Sequence, residues 1–118
     1  MALKFYWYPN CDTCRKAKKW FDNNGVAFET IHIVENPPSK EKLQEMVTNS
    51  GLPIKKFFNT SGKKYRELGL KDKLKTANEQ EMLDLLASFG MLIKRPIVTD
   101  GKQTTVGFKE EIFNQTWK

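Results

Sequence analysis

Cys11 and Cys14 lie three residues apart in Tyr8-Pro9-Asn10-Cys11-Asp12-Thr13-Cys14-Arg15, and they are the only cysteines in the 118-residue chain. Two cysteines are too few for a disulfide framework, and a bridge between them would close almost no loop and add little stability. The spacing therefore points to thiol chemistry rather than to a staple. The reactive form of cysteine is the thiolate, whereas a free cysteine near neutrality is mostly thiol. Such a pair needs a local source of positive potential.

The flanking sequence supplies one. Leu3-Lys4-Phe5-Tyr6-Trp7-Tyr8 is rich in aromatics and ends at Pro9, which predicts a buried strand. Thr13 to about Asn24 predicts a helix, with Cys14, Ala17 and Phe21 on one face and Trp20 on its flank. Asn23-Asn24-Gly25 stops it. The unpaired N–H groups and positive dipole at the start of a helix favour an anion. Cys11, just ahead of that helix, is the expected attacking thiolate. Cys14, one turn in on the buried stripe, is placed to attack a mixed disulfide formed on Cys11. Arg15, Lys16, Lys18 and Lys19 are expected to add a weaker, solvent-screened bias toward thiolate. Two other readings compete. Half of a zinc site would need about four ligands, and beyond the cysteines the chain offers the single histidine His32, read here as an ordinary strand residue. A pair of inert core cysteines is the other, against which the strand-to-helix placement speaks.

Ala27 to Ile33 predicts a second strand, so the chain opens as a βαβ unit with the cysteines at its first turn. Pro37-Pro38-Ser39 then leads into a helix with Leu43, Met46 and Val47 at core spacing, ended by Gly51-Leu52-Pro53. Short helical turns are expected around Ile54–Phe58 and Lys64–Leu68. Thr76-Ala77-Asn78-Glu79 matches a capping box ahead of a helix whose stripe is Met82, Leu85, Leu86 and Phe89, closed by Gly90. Pro96-Ile97-Val98-Thr99 and Thr104-Thr105-Val106 flank Asp100-Gly101 and predict a hairpin. A last helix carries Phe108, Ile112, Phe113 and Trp117. Without repeats, low-complexity stretches or linkers, residues 1–118 are expected to form one domain.

Composition sets the outer limits. Hydrophobic residues make up 39% and charged residues 29%, an ordinary globular balance. No apolar run approaches the roughly 20 residues of a membrane helix, and Met1-Ala2-Leu3-Lys4 does not read as a secretory leader, so a cytoplasmic location is expected. The net charge of +6 is concentrated in residues 51–76, where Lys55, Lys56, Lys63, Lys64, Arg66, Lys71, Lys73 and Lys75 face only Glu67 and Asp72. This stretch reads either as a solvated surface or as a docking face for an acidic partner. No nucleic-acid recognition motif accompanies it. Lys94-Arg95-Pro96 is a second constellation, since a proline at the start of a strand fits an edge or a cis turn.

Taken in order, Tyr8-Pro9-x-Cys11-x-x-Cys14-Arg15-Lys16-Ala17, Asn36-Pro37-Pro38-Ser39, Tyr65-Arg66-Glu67-Leu68-Gly69-Leu70 and Gly90-Met91-Leu92-Ile93-Lys94-Arg95-Pro96-Ile97 resemble the arsenate reductase/Spx (ArsC/Spx/MgsR) family. The resemblance implies an α/β, thioredoxin-like fold (βαβ … ββα) with a helical insertion at about 39–90, between the second and third strands. It implies a cis Pro96 facing the cysteines, with Arg95 beside the Cys11 sulfur, and no bound cofactor or metal. An external thiol reductant, glutathione with glutaredoxin or thioredoxin, would serve it. The family's arsenate reductases hold their oxyanion with three arginines; Arg95 matches one, whereas Asn59 and Gly107 stand where the others would fall, so arsenate turnover is expected to be slow or absent. The leading reading is a thiol–disulfide oxidoreductase-like protein acting on a thiol or disulfide substrate or a redox protein. The alternative is an Spx-like redox-sensing regulator that binds the C-terminal domain of the α chain of RNA polymerase, with Gly51 matching a docking glycine. The chain is expected to lack the C-terminal tail of those regulators.

Overall fold

Alternation of large apolar side chains to both faces makes Leu3–Trp7 the centre of the sheet. This strand, β1, sends Leu3 and Phe5 into one apolar layer and Tyr6 into the other. The computed structural model describes residues 3–118. Helix α1 (Asp12–Asn24) carries the chain over to β2 (Phe28–His32), which pairs parallel with β1, Leu3 opposite Phe28. After a run of helices, β3 (Ile97–Thr99) pairs antiparallel with β1 on its other side, and β4 (Thr104–Val106) pairs antiparallel with β3. The sheet order is β2-β1-β3-β4. Because β2 is an edge, Glu29 and Thr30 are exposed there, and the strand is shorter than its apolar pattern predicts.

One face of the sheet is covered by α1 and the last helix. Ala17, Trp20 and Phe21 meet Phe5, Val98, Phe113 and Trp117 in an aromatic layer. The Phe21 ring stacks on Phe28 at 5.0 Å, and Trp20 Nε1 donates to Asn114 Oδ1 at 3.1 Å. The other face is covered by α2 (Lys40–Ser50), a 3-10 turn (Ile54–Phe57), α3 (Lys63–Glu67), α4 (Leu70–Lys73) and α5 (Glu79–Ser88). These contribute Leu43, Met46, Phe57, Leu70, Leu83 and Leu86, which close over Tyr6 and Ile97. Among the described residues no helix is long and apolar enough to cross a membrane.

Several local expectations are corrected. Helix α5 is capped by Asn78, whose Oδ1 accepts from Glu81 N at 2.8 Å, so the cap lies two residues beyond Thr76. Asparagine is as good an N-cap as threonine, and the frame that starts there puts Leu83 in the buried stripe with Met82 and Leu86. The hairpin does not turn on Asp100-Gly101 alone. Thr99 opposes Thr104, leaving a four-residue loop in which Asp100 Oδ1 accepts from the N–H groups of Lys102 and Gln103. Those bonds hold the Asp100 carboxyl below its ordinary range. In α6 (Glu110–Thr116), Phe113 is buried, but Ile112 is 42% exposed.

Gly90 does not simply close α5. Its backbone passes so close to the end of β2 that a Cβ would sit 2.5 Å from the carbonyl oxygen of Ile33 and 2.9 Å from Val34 Cα. Those atoms are backbone and cannot swing aside. Gly90→Ala is expected to lower stability by about 1–3 kcal/mol, the usual cost of overpacking, seen as a lower urea midpoint with the slope unchanged.

Candidate active site

Helix α1 begins on Cys11. Its backbone is extended (φ −104°, ψ 117°), and its Sγ accepts from the N–H of Cys14 at 3.3 Å. The sulfur thus takes the place that a serine or aspartate oxygen would fill at an N-cap. Pro9 and the turn after β1 aim it there, and Cys11 N donates to Tyr8 O at 3.0 Å. Cys11 is half-buried and Cys14 fully buried; both are free.

The environments of the two sulfurs pull them apart. Partial burial opposes ionisation of Cys11. It is outweighed by hydrogen bonding from Cys14 and by the Arg95 guanidinium, and the net direction is below the ordinary cysteine value. For Cys14 burial is again the largest influence, now reinforced by the neighbouring Cys11 sulfur, and the thiol is pushed up to about 12. Ionisation is favoured at Cys11 relative to an ordinary cysteine and opposed at Cys14. Arg15 does not take part as the sequence suggests: it bonds outward to Asp12 and to the Pro9 carbonyl.

Arg95 comes from the far end of the chain. The segment Phe57–Asn59 runs antiparallel to Leu92–Lys94, with Asn59 N on Leu92 O and Lys94 N on Phe57 O, both 2.7 Å. This bridge delivers Arg95 to the cysteines. The guanidinium lies 5.0 Å from the centre of the Tyr8 ring, a cation–π distance. Tyr8 in turn meets His32 edge-on at 5.5 Å. His32 Nδ1 accepts from Glu35 N, so this histidine holds a turn. Arg95 Nε and Nη1 are buried without a hydrogen-bond partner. The Arg95–Pro96 peptide is cis, and the Pro96 carbonyl accepts from Gly107 N at 2.8 Å.

Cys11, Thr13, Asn59, Arg95 and Gly107 line one cleft of about 580 Å³. The structure therefore brings Cys11, Cys14 and Arg95 together, and it sets Asn59 and Gly107 around the same opening. Gly51 lies elsewhere, as the left-handed C-cap of α2 (φ +68°), with nothing within 4 Å of where a side chain would start. Two cleft residues carry no signal of their own in the sequence, Lys94 and Lys109. Lys94 stands out there only as the neighbour of Arg95-Pro96; its Cε lies 3.2 Å from where a Cβ on Gly107 would be, so the glycine makes room for its stem. Among the described residues no three His, Cys, Asp or Glu side chains gather to hold a metal ion.

A parallel β1–β2 pair joined by a helix that starts on two cysteines, with an Arg–cis-Pro opposite them, is the thioredoxin-like plan for handling sulfur. The ArsC family model matches residues 6–116, and the chain belongs to the ArsC family. It is 62% identical over 117 residues to protein YusI of Bacillus subtilis, covering 99% of each chain. It is also 31% identical over 109 residues to the global transcriptional regulator Spx 1 of Lactococcus lactis, covering 92% of this chain and 84% of that one. Among solved structures, an ArsC family related protein from Bacteroides fragilis superposes with a TM-score of 0.95 at 46% identity, covering 98% of this chain and 97% of the other.

Proposed function

We propose that this chain is a thiol–disulfide oxidoreductase in which Cys11 attacks, Cys14 resolves, and Arg95 with Pro96 shapes the substrate side. The observation that carries the reading is the split between the sulfurs: Cys11 held below its ordinary range at a helix N-terminus, Cys14 buried and pushed up to about 12. The Cys11 thiolate attacks one sulfur of a substrate disulfide, forming a mixed disulfide and expelling the other half as a thiolate. Cys14 then loses its proton as it attacks the Cys11 sulfur. The Cys11–Cys14 disulfide forms, the second substrate thiolate leaves, and two electrons have passed to the substrate. An external thiol reductant, glutathione with glutaredoxin or thioredoxin, restores the dithiol. A cytoplasmic setting, where thiols are kept reduced, suits this cycle. Reduction of hydroxyethyl disulfide tests it: Cys11→Ser is expected to abolish turnover, and unchanged turnover would overturn the proposal.

Arsenate is a poor fit. Where two further arginines would grip the oxyanion, Asn59 is engaged by the Ser61 hydroxyl at 3.3 Å, and Gly107 has φ +79°, where an arginine would be strained and would meet the Lys94 stem. Lys94 brings a point charge but not a bidentate fork. Losing two charge-assisted contacts of about 1.5–3 kcal/mol each implies at least about a hundredfold loss of rate. Arsenate reduction with glutathione and glutaredoxin is therefore expected to fall far below about 1 per second, the low end of ordinary enzymes. Turnover at that rate would show that the cleft grips oxyanions by other groups.

A second reading, a redox-sensing regulator that binds the C-terminal domain of the RNA polymerase α chain, rests on the Spx 1 likeness and on the open surface at Gly51. It expects salt-sensitive binding of that domain, lost in Gly51→Arg and retained in Gly51→Asn, which tolerates a left-handed cap. Absence of binding by the unmodified chain removes it.

A further inference from the structure

Strand β4 is an edge of the sheet, on the opposite side from β2. Its register shows which backbone groups point outward. Gly107 N bonds to Pro96 O and Asp100 N to Gln103 O, so the directly opposed pairs Pro96/Gly107 and Asp100/Gln103 are the hydrogen-bonded ones. Antiparallel pairs alternate, so Ile97/Val106 and Thr99/Thr104 are non-bonded pairs. The N–H and C=O groups of Thr104 and Val106 therefore face away from β3. No other backbone partner takes them among the described residues.

Thr104, itself largely buried, and Val106 line a groove of about 560 Å³ between the end of α2 and α6. Three lysines line it, Lys56, Lys94 and Lys109, and no carboxylate does. None of the three forms an ion pair among the described residues. Leu52 and Ile112, two of the three large apolar side chains exposed on the described surface, also stand in it. Lys94, Val106, Gly107 and Lys109 are shared with the cleft over Cys11, so groove and reactive site are continuous. Edge groups with no partner, one sign of charge, apolar footholds and a path to the nucleophile select one kind of occupant.

We propose that the groove receives an extended, acidic protein segment that adds to the edge of β4 as a fifth strand and presents its own oxidised cysteine to Cys11. Main-chain pairing with Thr104 and Val106 holds the segment without regard to sequence. Lys56, Lys94 and Lys109 select carboxylates, and Leu52 and Ile112 take apolar side chains between them. The proposal rests on the oxidoreductase reading and names its substrate class: protein disulfides in acidic strands, rather than small disulfides or oxyanions.

The test uses the reduced full chain and two short synthetic peptides of alternating charge and valine, one with Glu and one with Lys. Each carries a central cysteine as its mixed disulfide with thionitrobenzoate. Cys11 displaces the coloured thionitrobenzoate thiolate and forms a mixed disulfide with the peptide. The Glu peptide is expected to react at least about tenfold faster than the Lys peptide at low salt, within the usual range of electrostatic steering. The advantage is expected to collapse in 1 M salt, where the screening length is about 3 Å, and in the Lys56→Glu/Lys109→Glu variant. Val106→Pro, which removes an outward N–H and no ladder bond, is expected to slow the Glu peptide more than it slows hydroxyethyl disulfide, which needs only the cleft that Val106 borders. Equal rates for the two peptides, or a Glu-peptide rate untouched by both variants, overturn the proposal. If hydroxyethyl disulfide itself fails to react with Cys11, the oxidoreductase reading falls instead. The groove is then judged by a cysteine-free Glu peptide: amide shifts at Thr104 and Val106 support it, and shifts confined elsewhere overturn it.

Discussion

At neutral pH, Cys11 is expected to react with iodoacetamide at least about a hundredfold faster than Cys14. A thiol held near 12 is ionised to about one part in a hundred thousand at pH 7, whereas even an unperturbed cysteine is a few per cent thiolate. The ratio of thiolate fractions is therefore about three thousand. The more basic thiolate is the better nucleophile, and over that span a Brønsted slope of about 0.4–0.5 returns a factor of roughly forty. The remainder is widened by burial, since Cys14 is wholly inaccessible and Cys11 is not. Because Cys11 lies below its ordinary value, its rate is expected to rise at lower pH than that of a free cysteine. Arg95→Met, which removes the cation over Tyr8 and keeps an unbranched apolar stem, is expected to move that rise to higher pH. Peptide mass spectrometry of a pH series reads both sulfurs together. Equal rates at the two would remove the assignment of roles.

Cys14→Ser is expected to divide the reaction in two. The first step needs only the Cys11 thiolate, whose contact with the Cys14 backbone N–H survives the substitution. One equivalent of thiolate is released from a disulfide substrate at close to the normal rate. The second step has lost its nucleophile, so the mixed disulfide persists and multiple turnover on protein disulfides falls by at least about a hundredfold, the scale of losing a positioned reacting group. Cys11→Ser loses both steps. Stopped-flow release of the leaving thiolate, followed by non-reducing mass analysis of the trapped adduct, separates the cases. Full multiple turnover in Cys14→Ser would show that an external thiol does the resolving.

Much of this site is legible in the sequence because it is local. The stripe Cys14-Ala17-Phe21, its stop at Gly25 and the strand before it lie in consecutive sequence, and helical periodicity and capping act over such distances. The structure places Arg95 against Cys11 from the far side of the chain, and in the sequence only the family resemblance pairs them. Lys109 escapes notice because an exposed lysine looks like any solvated charge until the fold sets it in a cleft, and Lys94 stands out in the sequence only as the neighbour of Arg95-Pro96. Arg15 misleads for the opposite reason: adjacent in sequence, it points along the helix surface to Asp12 rather than toward the sulfur. The Asp100-Gly101 signal suggests a two-residue turn, but side-chain capping by Asp100 favours the longer loop. Which strand edge stays open is likewise a property of strand order, which no short stretch of sequence contains.

The most direct test of a working Cys11–Cys14 pair is its reduction potential. The protein is equilibrated in graded glutathione or dithiothreitol buffers, quenched with acid, and its free thiols are counted by alkylation and mass. A redox-active pair of this kind is expected to interconvert as an intramolecular disulfide at about −120 to −270 mV, the range spanned by thioredoxin-like redox proteins. A potential well below about −300 mV, the mark of a structural bridge, or the absence of any Cys11–Cys14 disulfide at oxidising poise, would contradict it.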